Sequence, residues 1–197
     1  MDFAAFFSYI AVSSLTPGPN NIMSMTNAGK YGFKKALPFN LGVFFGVFIL
    51  VSCCAAFSSL LYSFMPSIEP VMRCVGAAYI LYLAWKVWRD KPASGRGALA
   101  QTNTFSAAIA LQFVNVKAML YGLTTMSSFV LPYYRGFWQL AGFSAVMAAQ
   151  SLIGVSCWAL FGSVFERLFK RHGKVINAVM ALLLVYCAAS MLRGVLF

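Results

Sequence analysis

Long apolar runs recur along the chain, at 3–26, 39–64, 70–88, 105–131, 136–164 and 174–196, with short polar breaks between them. A helix crossing a hydrocarbon core needs about 20 mostly apolar residues, so the pattern predicts an all-α integral membrane protein of six transmembrane helices. The breaks carry turn and surface chemistry: Gly29, Lys30, Gly32, Lys34 and Lys35; Pro66, Ser67 and Glu69; Arg89 to Asn103; Pro132 and Arg135; Arg167 to Gly173. Nothing is left over for a soluble domain, and 1–197 reads as one membrane domain.

The stretch 89–104, with Pro92, Ser94, Gly95 and Gly97, is the one linker-like segment and divides the chain into halves at roughly 1–88 and 105–197. Each half holds an odd number of helices, so the two must have opposite topology, the inverted arrangement of many secondary transporters. Laying 7–18 over 106–117 pairs Ala11 with Ala110, Leu15 with Val114, Thr16 with Asn115, Pro17 with Val116 and Gly18 with Lys117.

Composition agrees with a lipid environment, since 61% of residues are hydrophobic and only 10% charged, against about 25% charged in soluble domains. The net charge of +11 would suggest nucleic acid in a soluble protein, but here the basic residues sit between apolar runs and act as topology determinants. Lys30, Lys34 and Lys35, then Lys86, Arg89, Lys91 and Arg96, then Arg167, Lys170, Arg171 and Lys174 place 11 of the 15 in alternate loops. Arg73, Arg135 and Arg193 lie near the opposite face, so both termini are expected outside. Tyr31, Trp85 and Trp88 mark the inner headgroup level, and Tyr62, Tyr133, Tyr134 and Trp138 the outer. Met1-Asp2-Phe3-Ala4 lacks the basic start and cleavage pattern of a removable signal peptide.

The strongest chemical signal is Thr16-Pro17-Gly18-Pro19-Asn20-Asn21 within the first run. Two prolines remove donors and push the preceding residues out of the α region, so the first helix is expected to break there. Irregular backbone at membrane depth survives only inside protein or beside a polar cavity, and broken helices aim their dipole ends at charged groups, as a zwitterion requires. The alternative is a helix starting near Asn20, with 3–15 as an interfacial segment. The second signal is Gln112, Asn115 and Lys117, a cation in the middle of the fourth run where charge is costly. Lys117 is rotated roughly 200° from Asn115 on a regular helix, so both can face one cavity only if the backbone unwinds. A lysine that snorkels or caps helix-terminal carbonyls is the competing explanation.

The only acids, Asp2, Glu69, Asp90 and Glu166, fall at predicted ends or loops, so no buried carboxylate relay is available and any proton coupling must pass through Lys117, the substrate or water. Asn40, Gln150 and Asn177 either line a path or bond between helices; Gly42 and Gly46 should let two helices of the bundle approach. Cys53, Cys54, Cys74, Cys157 and Cys187 lie in apolar runs without C-x-x-C spacing and read as small core residues, with no metal site or disulfide framework. Phosphate-cradling loops, metal-protease spacing, paired carboxylates and nucleophilic triads are missing, so no enzyme and no cofactor is expected.

The Thr16-Pro17-Gly18-Pro19-Asn20 motif, with Gly76-Ala77-Ala78-Tyr79-Ile80 through Trp85-Lys86 and Ala110 to Lys117, resembles the lysine-exporter type superfamily, which includes homoserine and threonine exporters. Phe129-Val130-Leu131-Pro132, Cys157-Trp158-Ala159-Leu160 and Ala181 to Ala188 are similar to its cysteine and O-acetylserine exporters. Many relatives have Asn-Pro-Lys where this chain has Asn115-Val116-Lys117, which leaves open whether the fourth helix breaks. Lysine-exporting members place an Asp in the second helix, whereas here no acid lies between Asp2 and Glu69, which implies a neutral cargo. The resemblance implies efflux across a bacterial inner membrane, driven by the proton gradient, with cysteine and O-acetylserine foremost. Threonine, homoserine or leucine export, and a non-transporting scaffold or sensor, remain as alternatives. The expected substrate contacts are Asn20, Asn21 and Lys117, the last for the carboxylate, with Thr16, Pro17, Gly18, Gln112 and Asn115 around them.

Overall fold

A computed structural model describes residues 1–89, 102–164 and 172–196. Every regular element among them is helical. Helix α1 runs Phe3–Leu15, started by Asp2, whose carboxylate accepts from the Ala5 amide at 3.0 Å. It stops because Pro17 holds Thr16 extended, at φ −63° and ψ 143°. Gly18 is extended too, and α2 (Pro19–Tyr31) restarts with Pro19 in the first position, where its missing N–H costs nothing. The break is therefore narrower than the expected Thr16–Asn21, with Asn20 and Asn21 already inside the first turn of α2.

Gly32 joins α2 to α3 (Phe33–Ala56) at φ 84° and ψ 158°, a conformation that a side chain would strain. The predicted turn at Pro66 to Glu69 is not one: α4 runs unbroken over Ser58–Arg89, and the joint with α3 falls at Phe57. A proline removes a single ladder bond, which a helix of 32 residues can absorb. The fourth run divides into α5 (Phe105–Val114), capped by the Thr104 hydroxyl, and α6 (Val116–Thr125), continued by a π-helical turn over Met126–Val130. The two arms meet at 70°, so the break left open by the missing proline is present. It sits on Asn115, at φ −89° and ψ 93°. Helices α7 (Phe137–Val164) and α8 (Gly173–Leu196) complete the chain. The basic stretches 90–101 and 165–171, which carry much of the topology argument, lie outside the described residues.

Each broken helix is splinted by a long one. Helix α7 lies against α1 and α2, with Gly154 facing the Ser14 carbonyl and Gly162 the Met25 carbonyl. Helix α3 lies against α5 and α6, with Gly42 facing the Phe105 carbonyl, Gly46 the Cα of Ile109, and Gly122 returning the approach onto Val51. Small residues let backbones close to such distances. Helices α3 and α7 pack on each other, and α4 pairs with α8. Phe6, Phe129 and Phe143 pack edge to face at one end of the bundle, while the Asn103 amide reaches the Lys35 carbonyl at the other.

Burial is inverted relative to a soluble bundle. The polar helix α2 is buried throughout Pro19–Gly29 apart from half-buried Asn20, while Val12, Phe57, Phe137, Ile153, Leu182 and Tyr186 are exposed. So continuous an apolar exterior suits lipid. Three helices, α3, α7 and the Gly173–Ser190 part of α8, are long and apolar enough to cross a membrane, and the bent α5–α6 pair makes a fourth. The cysteines depart from expectation: Cys54 is buried, but Cys53, Cys74 and Cys157 are exposed, because apolar positions of membrane helices face outward as well as inward.

Candidate functional site

Ending α1 at Leu15 leaves its last carbonyls without helical partners. Side chains from three other helices satisfy them. The Asn21 amide of α2 donates to the carbonyls of Ser14 and Thr16, both at 2.8 Å, and the Trp158 indole of α7 donates to Leu15 at 3.1 Å. From α6, the Lys117 ammonium donates to the Thr16 carbonyl and the Thr16 hydroxyl, each at 2.8 Å, and approaches the Pro17 carbonyl at 3.4 Å. A cation on a helix C-terminus is electrostatically favourable, and these charge-assisted bonds are shorter and stronger than neutral ones. The capping explanation for Lys117 is thus part of the geometry. Gly18 allows it: a Cβ there would lie 3.1 Å from the Lys117 Cδ and 3.2 Å from its Nζ.

The two breaks are tied a second time by amides. Asn20 Nδ2 donates to Gln112 Oε1 at 2.8 Å, Gln112 Nε2 donates back to Asn20 Oδ1 at 3.1 Å, and the same Nε2 reaches the Ala108 carbonyl at 2.8 Å. Gln112 is therefore fully engaged and acts as a brace. Below this pair the Ser24 hydroxyl donates to the Val155 carbonyl at 2.9 Å and touches Asn40 Oδ1 at 2.6 Å, and Gln150 bonds Ser14 at 3.2 Å. Asn40 and Gln150 thus bond between helices.

Between the breaks lies a chamber of about 50 Å³ lined by Ser13, Ser14, Gly18, Asn20, Asn21, Asn115, Lys117, Tyr121 and Ser151, with Val43, Val47 and Val155 as apolar wall. The α2 N-terminus brings the amides of Asn20 and Asn21 there, unpaired by the helix and at the positive end of its dipole. Asn115 is 2% exposed, and its Oδ1 has no partner. The break at Asn115 is what turns both it and Lys117 toward one space, as the rotation argument required. A second cavity of about 290 Å³ lies across Lys117, lined also by Tyr9, Ser13, Thr16, Arg73, Leu120, Tyr121 and Ser190.

Of the residues expected from sequence, Gly18, Asn20, Asn21, Asn115 and Lys117 line the inner chamber, Thr16 lines the outer cavity, Gln112 braces from behind, and Pro17 offers its carbonyl to Lys117. Sequence reading missed Ser13, Ser14, Tyr121, Ser151 and Trp158, ordinary residues in apolar runs whose only signal is polarity at membrane depth. It also missed Arg73 as a cavity residue, having placed it near a surface.

The model of the LysE type translocators matches residues 11–194. The chain is 41% identical over 185 residues, 94% of both chains, to the cysteine/O-acetylserine efflux proteins of Escherichia coli K12 and Shigella flexneri, and 40% identical over the same span to that of Escherichia coli O1:K1. No solved structure matches. With the family pattern spanning residues 11–194, this protein belongs to the LysE type translocator family.

Proposed function

We propose that the chain exports small neutral amino acids, cysteine and O-acetylserine foremost, from the cytoplasm, and that the substrate sits in the chamber between the two helix breaks. The carrying observation is complementarity to a zwitterion. Lys117 and the exposed amides at the start of α2 offer positive potential to a carboxylate, and the unpaired Asn115 Oδ1, with the hydroxyls of Ser13, Ser14 and Ser151, offers acceptors to an ammonium. Among the described residues no carboxylate lines the chamber, which disfavours a cationic cargo. At roughly 10–15 Å³ per water the space holds only a few waters, so the described chamber must widen to load.

Six spans follow if α1 with α2 counts as one broken span and α4 as another. An inverted repeat is supported by the packing, because exchanging α1, α2 and α3 for α5, α6 and α7 turns the contacts of α7 with α1 and α2 into those of α3 with α5 and α6. Both termini then lie in the periplasm and the chain in the bacterial inner membrane. Coupling is to proton antiport, for which Lys117 is the ionisable group in place.

Amino-acid analysis of cells and medium, with and without overexpression, tests the reading. External cysteine and O-acetylserine should rise several-fold; a rise confined to threonine, homoserine or leucine would reassign the cargo, and no change in any amino acid would support a scaffold. Uptake into inverted vesicles after a pH jump, abolished by an uncoupler, tests the antiport, and a reporter fused after Phe197 tests the topology.

A further inference from the structure

The polar groups of the chamber come from α1, the first turn of α2, the Asn115 break with α6, and Ser151 of α7. Among the described lining residues, α3 brings only Val43 and Val47. These two are one turn apart and stack on a single helix face, and Val155 stands one turn beyond Ser151 on α7, where the lining changes from a hydroxyl to an isopropyl group. None of the three valines is more than 2% exposed. Their helices are tethered beside them: the Ser24 hydroxyl of α2 donates to the Val155 carbonyl at 2.9 Å and touches Oδ1 of Asn40, three residues before Val43, at 2.6 Å. A β-branched side chain in a helix keeps one strongly preferred χ1, so such walls do not swing aside as methionine would.

We infer that Val43, Val47 and Val155 form the subsite for the cargo's side chain and set the size and polarity it accepts. This rests on the export reading above. With the carboxylate on Lys117 and the ammonium toward Asn115, the charged groups of an amino acid occupy the polar lining, and the valines of α3 and α7 are left to meet its side chain. A charged side chain would shed its water against groups that offer no hydrogen bond, so the wall selects for an uncharged one. It also limits length, because an apolar pocket discriminates by about 10- to 200-fold for each methylene that does not fit. The class of cargo that satisfies both limits is a neutral amino acid with a short side chain.

The test is exchange of labelled O-acetylserine in membrane vesicles, with cysteine, serine and leucine as competitors. Val43→Ala and Val47→Ala enlarge the subsite and should lower the half-inhibiting concentration of leucine about ten-fold relative to that of cysteine. Val155→Thr keeps the branched outline and adds a hydroxyl, and should move the preference between serine and cysteine about ten-fold toward serine. A change that merely weakens the fold reduces exchange of every amino acid alike and leaves these ratios fixed. Unchanged ratios in variants that still exchange would therefore overturn the subsite with the export reading intact. For a variant that exchanges too little to follow, protection of the purified protein against thermal unfolding by the same three amino acids supplies the ratios. If wild-type vesicles exchange neither cysteine nor O-acetylserine, the export reading has failed, and the subsite is judged by thermal protection alone; the absence of protection by any of the three would refute it as well.

Discussion

The side-chain amides of Asn20 and Gln112 face each other head to tail, at 2.8 Å and 3.1 Å, and so fasten the first turn of α2 to the last turn of α5 across 92 positions of sequence. Each amide satisfies donor and acceptor of the other. Removing Asn20 leaves Gln112 buried and half-bonded, which costs about 1–3 kcal/mol, and removing Gln112 leaves half-buried Asn20 without its partner, whereas removing both leaves no orphan. Gln112→Ala should therefore destabilise the detergent-solubilised protein more than additivity with Asn20→Ala allows, with a coupling of about 1 kcal/mol in the double-mutant cycle. Additive losses would mean that the pair does not brace the breaks.

Lys117 is both a helix cap and the proposed carboxylate partner, and the two roles separate by substitution. Lys117→Met keeps the stem beside Gly18 and removes the ammonium, so export should fall at least about ten-fold with the protein still inserted, the loss expected when a charged hydrogen bond to substrate is removed. Lys117→Arg should not restore it, because the close approach to Gly18 leaves little room for a planar fork. Export by the Met variant at the wild-type rate, with a lowered melting temperature, would reduce Lys117 to a cap of α1.

The first break was legible because Pro17 and Pro19 act locally through their rings, and backbone chemistry of that kind is written in the residues themselves. The second break was only half legible. Lys117 announced that a charge lay at depth, but without a proline the bend at Asn115 is decided by what α3 and the Asn20 amide hold in place. The joint at Phe57 was missed for the opposite reason, since Pro66 gave a local signal that the longer helix overrode. Ser151 and Trp158 enter the site from α7, and nothing in a single run of sequence says which of its faces a broken helix will meet.

The two splints make a prediction about glycine. Alanine at Gly162 would drive its Cβ into the Met25 carbonyl, and alanine at Gly46 would come 2.7 Å from the Gln112 Cγ and 3.0 Å from the Ile109 Cα. Backbone cannot yield as a side-chain tip can, so each change should cost about 1–3 kcal/mol, read as a lower unfolding temperature in detergent. Gly142→Ala, on the same helix as Gly162 but facing open space, should be neutral or stabilising by up to about 1 kcal/mol. Equal tolerance at all three positions would refute the close packing of α7 on α2 and of α3 on α5.

Asn27 is wholly buried, and both its amide oxygen and its amide nitrogen lack partners. It continues the line of Asn20 and Ser24 along α2 at helical spacing, toward the Gly32 end, where the proposed topology places the cytoplasm. An unpaired amide in a dry interior costs about 1–3 kcal/mol, a penalty that disappears in any state where the same face is wet. We propose that an inward-open state wets this face, in which case the amide favours loading. Asn27→Leu, close in volume and without polar atoms, should accordingly raise the unfolding temperature of the closed form while lowering the export rate. The measurements are a thermal melt and an efflux assay on the same variant. A lower melting temperature with unchanged export would show that this stripe is not the entry route, since the leucine would then have removed support from the closed state and nothing from the open one.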